Sequence, residues 1–169
     1  MSHNRQFTHH ENSNSSQKKR IIVICDGVTG PANLGGLFRL CDAFGVEEML
    51  IGTASPDLDS PRLQKTARHT QRLVSHRVID DTAKAISELK KNNFYVLGLE
   101  ITSQSFSINK VDISNKPALV LVLGGESDGI SKKVLELMDA TVHIDMYGTN
   151  SSMNVTQAAA IALFELSKT

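Results

Sequence analysis

The sequence lacks tryptophan, and aromatic residues make up only 5% of its 169 residues. An extended surface on which nucleic-acid bases stack is therefore not expected. Only two cysteines are present, Cys25 and Cys41, and both lie in apolar stretches. Two cysteines are too few for a metal site built from cysteine ligands alone. Their apolar surroundings predict reduced, buried thiols in a cytoplasmic protein. Basic and acidic residues number 18 each, which excludes a uniformly basic, histone-like protein.

Several functional fingerprints are also missing. No apolar run approaches the roughly 18–20 residues of a membrane span, and the first residues lack the apolar core of a signal peptide. The sequence contains no G-x-G-x-x-G dinucleotide motif, no phosphate-binding P-loop and no G-x-S-x-G nucleophile elbow. No spacing of His, Cys and Asp resembles a zinc or two-metal site. We therefore predict no metal and no membrane contact.

Length and composition favour one folded domain behind a polar tail. Residues 1–19 are rich in Ser, Asn and His, cannot bury enough surface to offset the entropy of ordering, and are expected to be disordered. The tail ends in basic residues and is either a solvated leader or an electrostatic arm for nucleic acid. Residues 20–169 form the predicted domain.

Apolar strands and helical segments alternate along this domain. Predicted strands cover 21–25, 48–52, 72–79, 94–100, 118–124 and 141–146, and predicted helices run from Leu37 to a stop at Gly45 and over 80–93, 131–139 and 154–168. Residues 53–71 are expected to be irregular or weakly helical. This alternation predicts an α/β fold with a mostly parallel sheet covered on both faces. Ligands of such sheets bind beyond the carboxyl ends of strands, which are the loops 26–36, 99–106, 124–130 and 146–153.

The first unusual strand-end segment is 33–39. Gly35 and Gly36 stand at a helix start, where each costs about 1 kcal/mol relative to Ala, which indicates close approach of the backbone to another group. Arg39 lies among apolar neighbours, so we expect it to be partly enclosed and suited to a phosphate. Alternatively, Asn33 is only a helix N-cap and Arg39 pairs with Asp42.

The second segment, 123–130, leaves the most apolar strand. Gly124 and Gly125 would let a ligand reach backbone groups, and Glu126 could hold Arg39 or a substrate group. The alternative is a tight turn into a helix at Ser131 with a solvated Glu126.

The third segment, 144–154, precedes the last helix. Ser152 or Asn154 is an N-cap candidate, but a cap does not explain the whole polar run. The alanines that follow, at 158–160 and 162, permit close packing either within the fold or against a second subunit.

Residues 62–77 form a basic run that no acid interrupts. A solvated basic face is one interpretation, and nucleic-acid binding is the favoured one, because neutralising phosphates is the main sequence-independent source of affinity. The candidate RNA-binding residues are Arg62, Lys65, Arg68 and Arg72.

Together and in this order, the three segments resemble the motifs of the SPOUT RNA methyltransferases, in the SpoU/TrmH branch that methylates ribose 2′-hydroxyls. The residues that carry the resemblance are Asn33, Gly35 and Arg39, then Leu123-Gly-Gly-Glu126, then Ile144-x-Met-x-Gly148 and Ser152-x-Asn-Val155. Asp145 and Met153 depart from the usual Pro and Leu. The likeness is to minimal, single-domain members, many of which act on tRNA.

The resemblance implies a deep trefoil knot in the C-terminal part of the domain, an exception to the rule against knots. It also implies a homodimer and S-adenosylmethionine as methyl donor. The donor-binding positions carried over are Leu99, Gly124, Gly125, Ile144, Met146, Ser152 and Met153. The implied reaction is ribose 2′-O-methylation, with tRNA favoured; ribosomal RNA and a catalytically silent RNA-binding module are the alternatives.

The implied catalytic group comprises Arg39, Asn33, Glu126, Ser152 and Asn154. A guanidinium with a pKa above about 12 is a poor base. We therefore expect Arg39 to clamp a neighbouring phosphate and orient the hydroxyl, whose proton passes to that phosphate or to water. The other four residues would shape the site by hydrogen bonding.

Overall fold

The computed structural model describes Arg5, residues 19–52 and residues 56–168. Apart from Arg5 and Lys19, the predicted disordered tail lies outside the described residues. Within them, the strands are β1 (Arg20–Asp26), β2 (Glu48–Gly52), β3 (His76–Val78), β4 (Tyr95–Leu99), β5 (Phe106–Ser107), β6 (Ala118–Gly124) and β7 (Ala140–His143). The helices are α1 (Pro31–Ala43), α2 (Pro61–Ala67), α3 (Thr82–Lys91), α4 (Lys132–Leu135) and α5 (Val155–Ser167).

The strands form one seven-stranded sheet in the order β3-β2-β1-β6-β4-β7-β5. Every pair of neighbouring strands is parallel, so the predicted parallel α/β fold is confirmed. Strand β6 lies between β1 and β4, with Ile24 and Gly98 both opposite Val122. The carboxyl ends of β1, β6, β4 and β7 consequently meet along one edge of the sheet, where the predicted loops lie.

The central strands are buried on both faces. Alternate residues of β1 point to opposite sides: Ile21 and Val23 join one apolar cluster, and Ile22 and Ile24 join the other. The first cluster contains the inner faces of α1, α2 and α5, and the second contains those of α3 and α4. Continuous β-branched runs in the sequence are typical of strands buried in this way.

The predicted starts of one helix and one strand were wrong. Helix α1 begins at Pro31 rather than Leu37, because proline is tolerated in a first helical turn and the two glycines lie inside the helix. The predicted strand 72–79 shrinks to β3, since residues 70–72 form a 3-10 turn. The segment expected to be irregular or weakly helical contains α2, and its residues 53–55 lie outside the described residues.

The far edge of the sheet also differs from the prediction. Strand β7 ends at His143, before the predicted end at residue 146. The two-residue strand β5, which no pattern predicted, pairs with β7 through Phe106 and Ser107. A strand of two residues has no periodicity to detect.

Both cysteines are free and buried, as predicted. Burial raises the pKa of the Cys41 thiol to about 12. Burial, with smaller contributions from the charges of Cys41 and Glu126, raises the pKa of Cys25 well above its ordinary value. Because the thiolate is the reactive form, we expect neither thiol to react with Ellman's reagent at pH 8 until the protein is unfolded. Rapid labelling of the native protein would contradict this burial.

Candidate active site

A cavity of about 840 Å³ opens at the edge of the sheet where the central strands end. It is lined by all seven predicted donor-binding residues, Leu99, Gly124, Gly125, Ile144, Met146, Ser152 and Met153. These residues come from the ends of β4 and β6 and from the segment between β7 and α5. The structure therefore brings together residues that lie up to 54 positions apart in sequence, from Leu99 to Met153.

Glu100, which the sequence analysis did not single out, organises the floor of this cavity. Its Oε1 accepts a hydrogen bond from the Ile101 amide at 2.9 Å, and its Oε2 accepts one from the Ile130 amide at 3.1 Å. Gly129 has a φ of +64°, and a Cβ there would lie 3.1 Å from the Glu100 Cδ and closer still to Oε2. The only sequence signal for this role was the position of Glu100 at the carboxyl end of the predicted strand 94–100, at the start of one of the predicted ligand-binding loops.

Gly124 and Gly125 are required by contacts within the protein. A Cβ on Gly124 would lie 2.7 Å from the Gly129 Cα and overlap that residue's carbonyl carbon, and a Cβ on Gly125 would lie 2.5 Å from the Gly27 oxygen. The Gly125 amide donates to the Asp26 and Gly129 oxygens at 2.9 and 3.2 Å. The sequence predicted that these glycines let a ligand reach the backbone; in the structure they also let the turn after β6 close on itself at Gly124 and pack against the end of β1 at Gly125.

A hydrogen-bonded network connects the three motifs. The Asn33 side-chain amide donates to Glu126 Oε1, and the Asn154 amide donates to Asn33 Oδ1 at 3.0 Å. Asn154 Oδ1 accepts from the Thr156 amide at 2.9 Å and thereby caps α5. Of the two predicted N-cap candidates, Asn154 is the one used. Ser152 lies on the cavity wall. Four of the five predicted catalytic residues therefore lie at or beside the cavity.

Arg39 is the exception, and the expectation that it is partly enclosed was wrong. Its side chain is exposed, and within the described part of the chain it has no hydrogen bond or ion pair, with Asp42, Glu126 or any other residue. It follows Asn33 by six residues, about 9 Å along α1. Its free guanidinium is available to an anionic ligand.

The glycines of α1 mark where this helix packs against two others. A Cβ on Gly35 would lie 2.6 Å from the Leu63 oxygen, and one on Gly36 would lie 2.8 Å from the Thr156 Cγ2. The close approach predicted for these glycines is therefore to α2 and to the start of α5.

The predicted RNA-binding residues lie on or directly after α2, which packs against α1. Arg62, Lys65, Arg68 and Arg72 are exposed and form no ion pair within the described residues. In contrast, Arg77 from the same basic run donates to Glu48 Oε1 at 3.1 Å. We call the four unpaired residues the basic patch.

The turn that follows α2 has an unusual backbone. Arg68 and His69 both have positive φ, at 49° and 71°, a conformation that non-glycine residues rarely adopt. Together with Lys65 they line a shallow cavity of about 540 Å³. Local strain of this kind concentrates at functional sites.

The residues of the main cavity fit S-adenosylmethionine. Apolar side chains such as Leu99, Ile144 and Met153 suit the adenine ring, and exposed backbone groups at the strand ends can pair with its edge. Carboxylates from Glu100, Glu126 and Asp128 also line the cavity and suit a cationic sulfonium and ammonium. Among the residues that the structure describes, no cluster could hold a metal ion and no helix could cross a membrane.

Comparisons with known proteins agree with these features. The profile of the SpoU rRNA Methylase family matches residues 20–164. A 23S rRNA (guanosine-2′-O-)-methyltransferase of Xylella fastidiosa is 34% identical over 149 residues, covering 86% of this chain and 57% of that protein. A tRNA (guanosine(18)-2′-O)-methyltransferase of Thermus thermophilus is 34% identical over 145 residues, covering 86% of this chain and 73% of that protein.

The fold also has solved counterparts. The crystal structure of the TrmH/SpoU tRNA modifying enzyme of A. aeolicus superimposes with a TM-score of 0.80 at 28% identity. The match covers 90% of this chain and 77% of that one. The chain thus spans 57% to 77% of the length of these three proteins.

Proposed function

This chain belongs to the SpoU rRNA methylase family, and from that membership we propose that it is an S-adenosylmethionine-dependent RNA methyltransferase acting on a ribose 2′-hydroxyl. The observation that carries the proposal is the single cavity lined by every predicted donor-binding residue, joined to the Glu126–Asn33–Asn154 network. We propose tRNA as the substrate, because the similarity covers 73% of the Thermus thermophilus tRNA (guanosine(18)-2′-O)-methyltransferase and 77% of the A. aeolicus TrmH/SpoU tRNA modifying enzyme.

The donor, when bound, supplies an electrophilic methyl group on a sulfonium. Leu99, Ile144 and Met153 would hold the adenosine part, and Glu126 would lie near the sulfonium charge. The chain's own task is then to bring the ribose hydroxyl to within about 3–3.5 Å of that methyl and to help remove its proton.

Arg39 and the network divide this task. The unpaired Arg39 guanidinium binds a phosphate next to the target ribose, which fixes the position of the sugar. Hydrogen bonds to the ribose are made by the side chains of Asn33, Asn154 and Ser152. The hydroxyl proton passes to the bound phosphate or to water, since Arg39 itself is a poor base.

The basic patch would bind the RNA backbone. We expect Arg68→Ala to weaken tRNA binding and to reduce the slope of log affinity against log salt by about 0.7–0.9 for each phosphate that the variant no longer neutralises. Fluorescence anisotropy with labelled tRNA at several salt concentrations measures both. Arg77→Ala is the matched control, because Arg77 already pairs with Glu48. Equal effects of the two substitutions would argue against the patch.

We also propose that the chain acts as a homodimer, with α5 at its interface. Ala159 and Ala162 pack inside the subunit, which supports the first of the two roles expected for the alanines. The outer face of α5 leaves Ile161 and Phe164 exposed by 42% and 57%. These apolar side chains suit a second copy of the chain.

This interface makes a separate prediction. Phe164→Asp is expected to convert a dimer into a monomer, because it places a charge in an apolar contact. Light scattering coupled to gel filtration reports the mass directly. A monomeric unmodified chain at micromolar concentration would contradict the proposal.

Further features follow from the family. We propose that the chain threads the trefoil knot characteristic of SPOUT enzymes, an arrangement supported by β6 lying between β1 and β4 and by the turn after β6 packing on Gly27. A cytoplasmic location is supported by the two free thiols.

Calorimetric titration with S-adenosylmethionine tests the proposed function. A methyltransferase binds the donor with one site per subunit, whereas a silent RNA-binding module binds RNA but no donor. Methyl transfer to tRNA and to ribosomal RNA fragments, measured in parallel assays, distinguishes the proposed substrate from the alternative.

A further inference from the structure

Two segments form one side of the donor cavity. The connection from β4 to β5 contributes Ile101 and Thr102, and the segment after β7 contributes Ile144 and Met146. At their base the two segments are joined by β4 pairing with β7 as far as Leu99 and Val142 and by the Glu100 amide, which donates to the Val142 oxygen at 2.9 Å. Beyond that point the strand pairing is slight, because β5 pairs with β7 through only two residue pairs. Side-chain contacts there can add to the rigidity of the cavity wall.

Side chains supply those contacts at two points. The Ser107 hydroxyl donates to Asp145 Oδ2 at 2.5 Å. The Ser105 Oγ lies 2.9 Å from His143 Nδ1 and 3.0 Å from the Thr102 oxygen, and it accepts a hydrogen bond from the Thr102 amide. The tautomer of His143 sets whether Ser105 or the ring donates in the contact between them.

The two contacts are continuous with each other. The other ring nitrogen, His143 Nε2, lies 3.5 Å from Asp145 Oδ1, a pair that is ionic when the ring is protonated. We call the chain of contacts from Thr102 through Ser105, His143 and Asp145 to Ser107 the polar latch. It joins the β4–β5 connection to the segment that carries Ile144 and Met146, directly beside the cavity.

We infer that His143 and Asp145 are positioning residues that hold the donor cavity in its binding shape, a role that rests on the proposed function. Because the latch already holds this wall of the cavity in place, donor binding does not have to bear the entropic cost of ordering the wall. Removing the latch is therefore expected to weaken donor affinity. None of the latch contacts involves Asn33, Glu126 or Asn154, so we expect the methyl-transfer step itself to be unaffected once the donor is bound.

The experiment compares four variants of the full chain by calorimetry with S-adenosylmethionine. Asp145→Ala and Ser107→Ala both remove the Ser107–Asp145 bond, and Asp145→Ala also removes the contact with His143. Asp145→Asn keeps an acceptor oxygen for Ser107. Ser114→Ala is the matched control, because Ser114 bonds only to Asp112 in an exposed turn. Thermal unfolding and steady-state kinetics with tRNA are measured on the same samples.

We expect Asp145→Ala and Ser107→Ala to weaken donor binding about tenfold and to raise the donor KM in parallel, with kcat within about twofold. The double variant Asp145→Ala/Ser107→Ala should bind the donor about as weakly as Asp145→Ala alone, since Asp145→Ala already removes the bond to Ser107. Asp145→Asn and Ser114→Ala should stay within about twofold of the unmodified chain.

Two results would overturn this inference without touching the proposed function. One is a donor affinity within twofold of the unmodified chain in both Asp145→Ala and Ser107→Ala. The other is an unchanged donor KM with a loss of kcat that is proportional to the loss of folded protein. If Asp145→Ala does not fold, Ser107→Ala and Ser105→Ala carry the test. No donor binding by the unmodified chain would instead overturn the proposed function, and with it the inference.

Discussion

Replacement of Arg39 by alanine is expected to lower kcat for RNA methylation by about 10²–10³-fold, the usual cost of removing one charged group that acts in the transition state. Arg39 is exposed and without a partner in the described part of the chain, so its removal disturbs no internal contact. Donor binding should therefore be unchanged. Transfer of a labelled methyl group from S-adenosylmethionine to tRNA measures kcat, and calorimetry measures the donor affinity.

The control for this substitution is Arg77→Ala, which removes the same charge from an arginine that is paired with Glu48. It should retain methylation within about threefold. Near-normal turnover by Arg39→Ala would refute the role of Arg39, and loss of donor binding in that variant would show that Arg39 acts on the cavity and not on the RNA.

Gly124→Ala is expected to have the second large effect, on folding and donor binding together. The added methyl would overlap the backbone of Gly129 and Ile130, and backbone atoms cannot move aside as a flexible side chain can. We expect a loss of more than about 3 kcal/mol in the free energy of unfolding. Thermal unfolding and donor calorimetry report the two effects.

Gly148→Ala is the matched control for that change, because a Cβ at Gly148 meets no atom within 4 Å and its φ is not positive. Its unfolding midpoint should stay within about 2 °C of the unmodified chain. Equal midpoints for the two variants would mean that the turn after β6 does not fold back so that Gly129 and Ile130 lie against Gly124.

The sheet and its faces could be predicted because the strands carry strong local signals. Runs such as the one in β6 are entirely apolar, and strands of this kind alternating with helices favour only a parallel sheet with two covered faces. The members of the donor cavity followed from the resemblance, since three short motifs in a fixed order place the strand ends.

The remaining features depend on contacts between distant segments. Gly35 and Gly36 were correctly expected to allow close approach, but only the structure identifies α2 and α5 as the neighbours. Strand β5 and the hydrogen bonds of Glu100 depend on tertiary pairing with no periodic signal. A run of charges likewise does not reveal that Arg77 is paired while Arg68 is free.

Mapping of ribose methylation in total RNA from cells with and without this protein tests the central claim most directly. The account predicts that a 2′-O-methyl group at one or a few tRNA nucleotides disappears with the protein, returns with the unmodified chain, and does not return with Arg39→Ala. Identical ribose methylation in all RNA from both kinds of cell would contradict it.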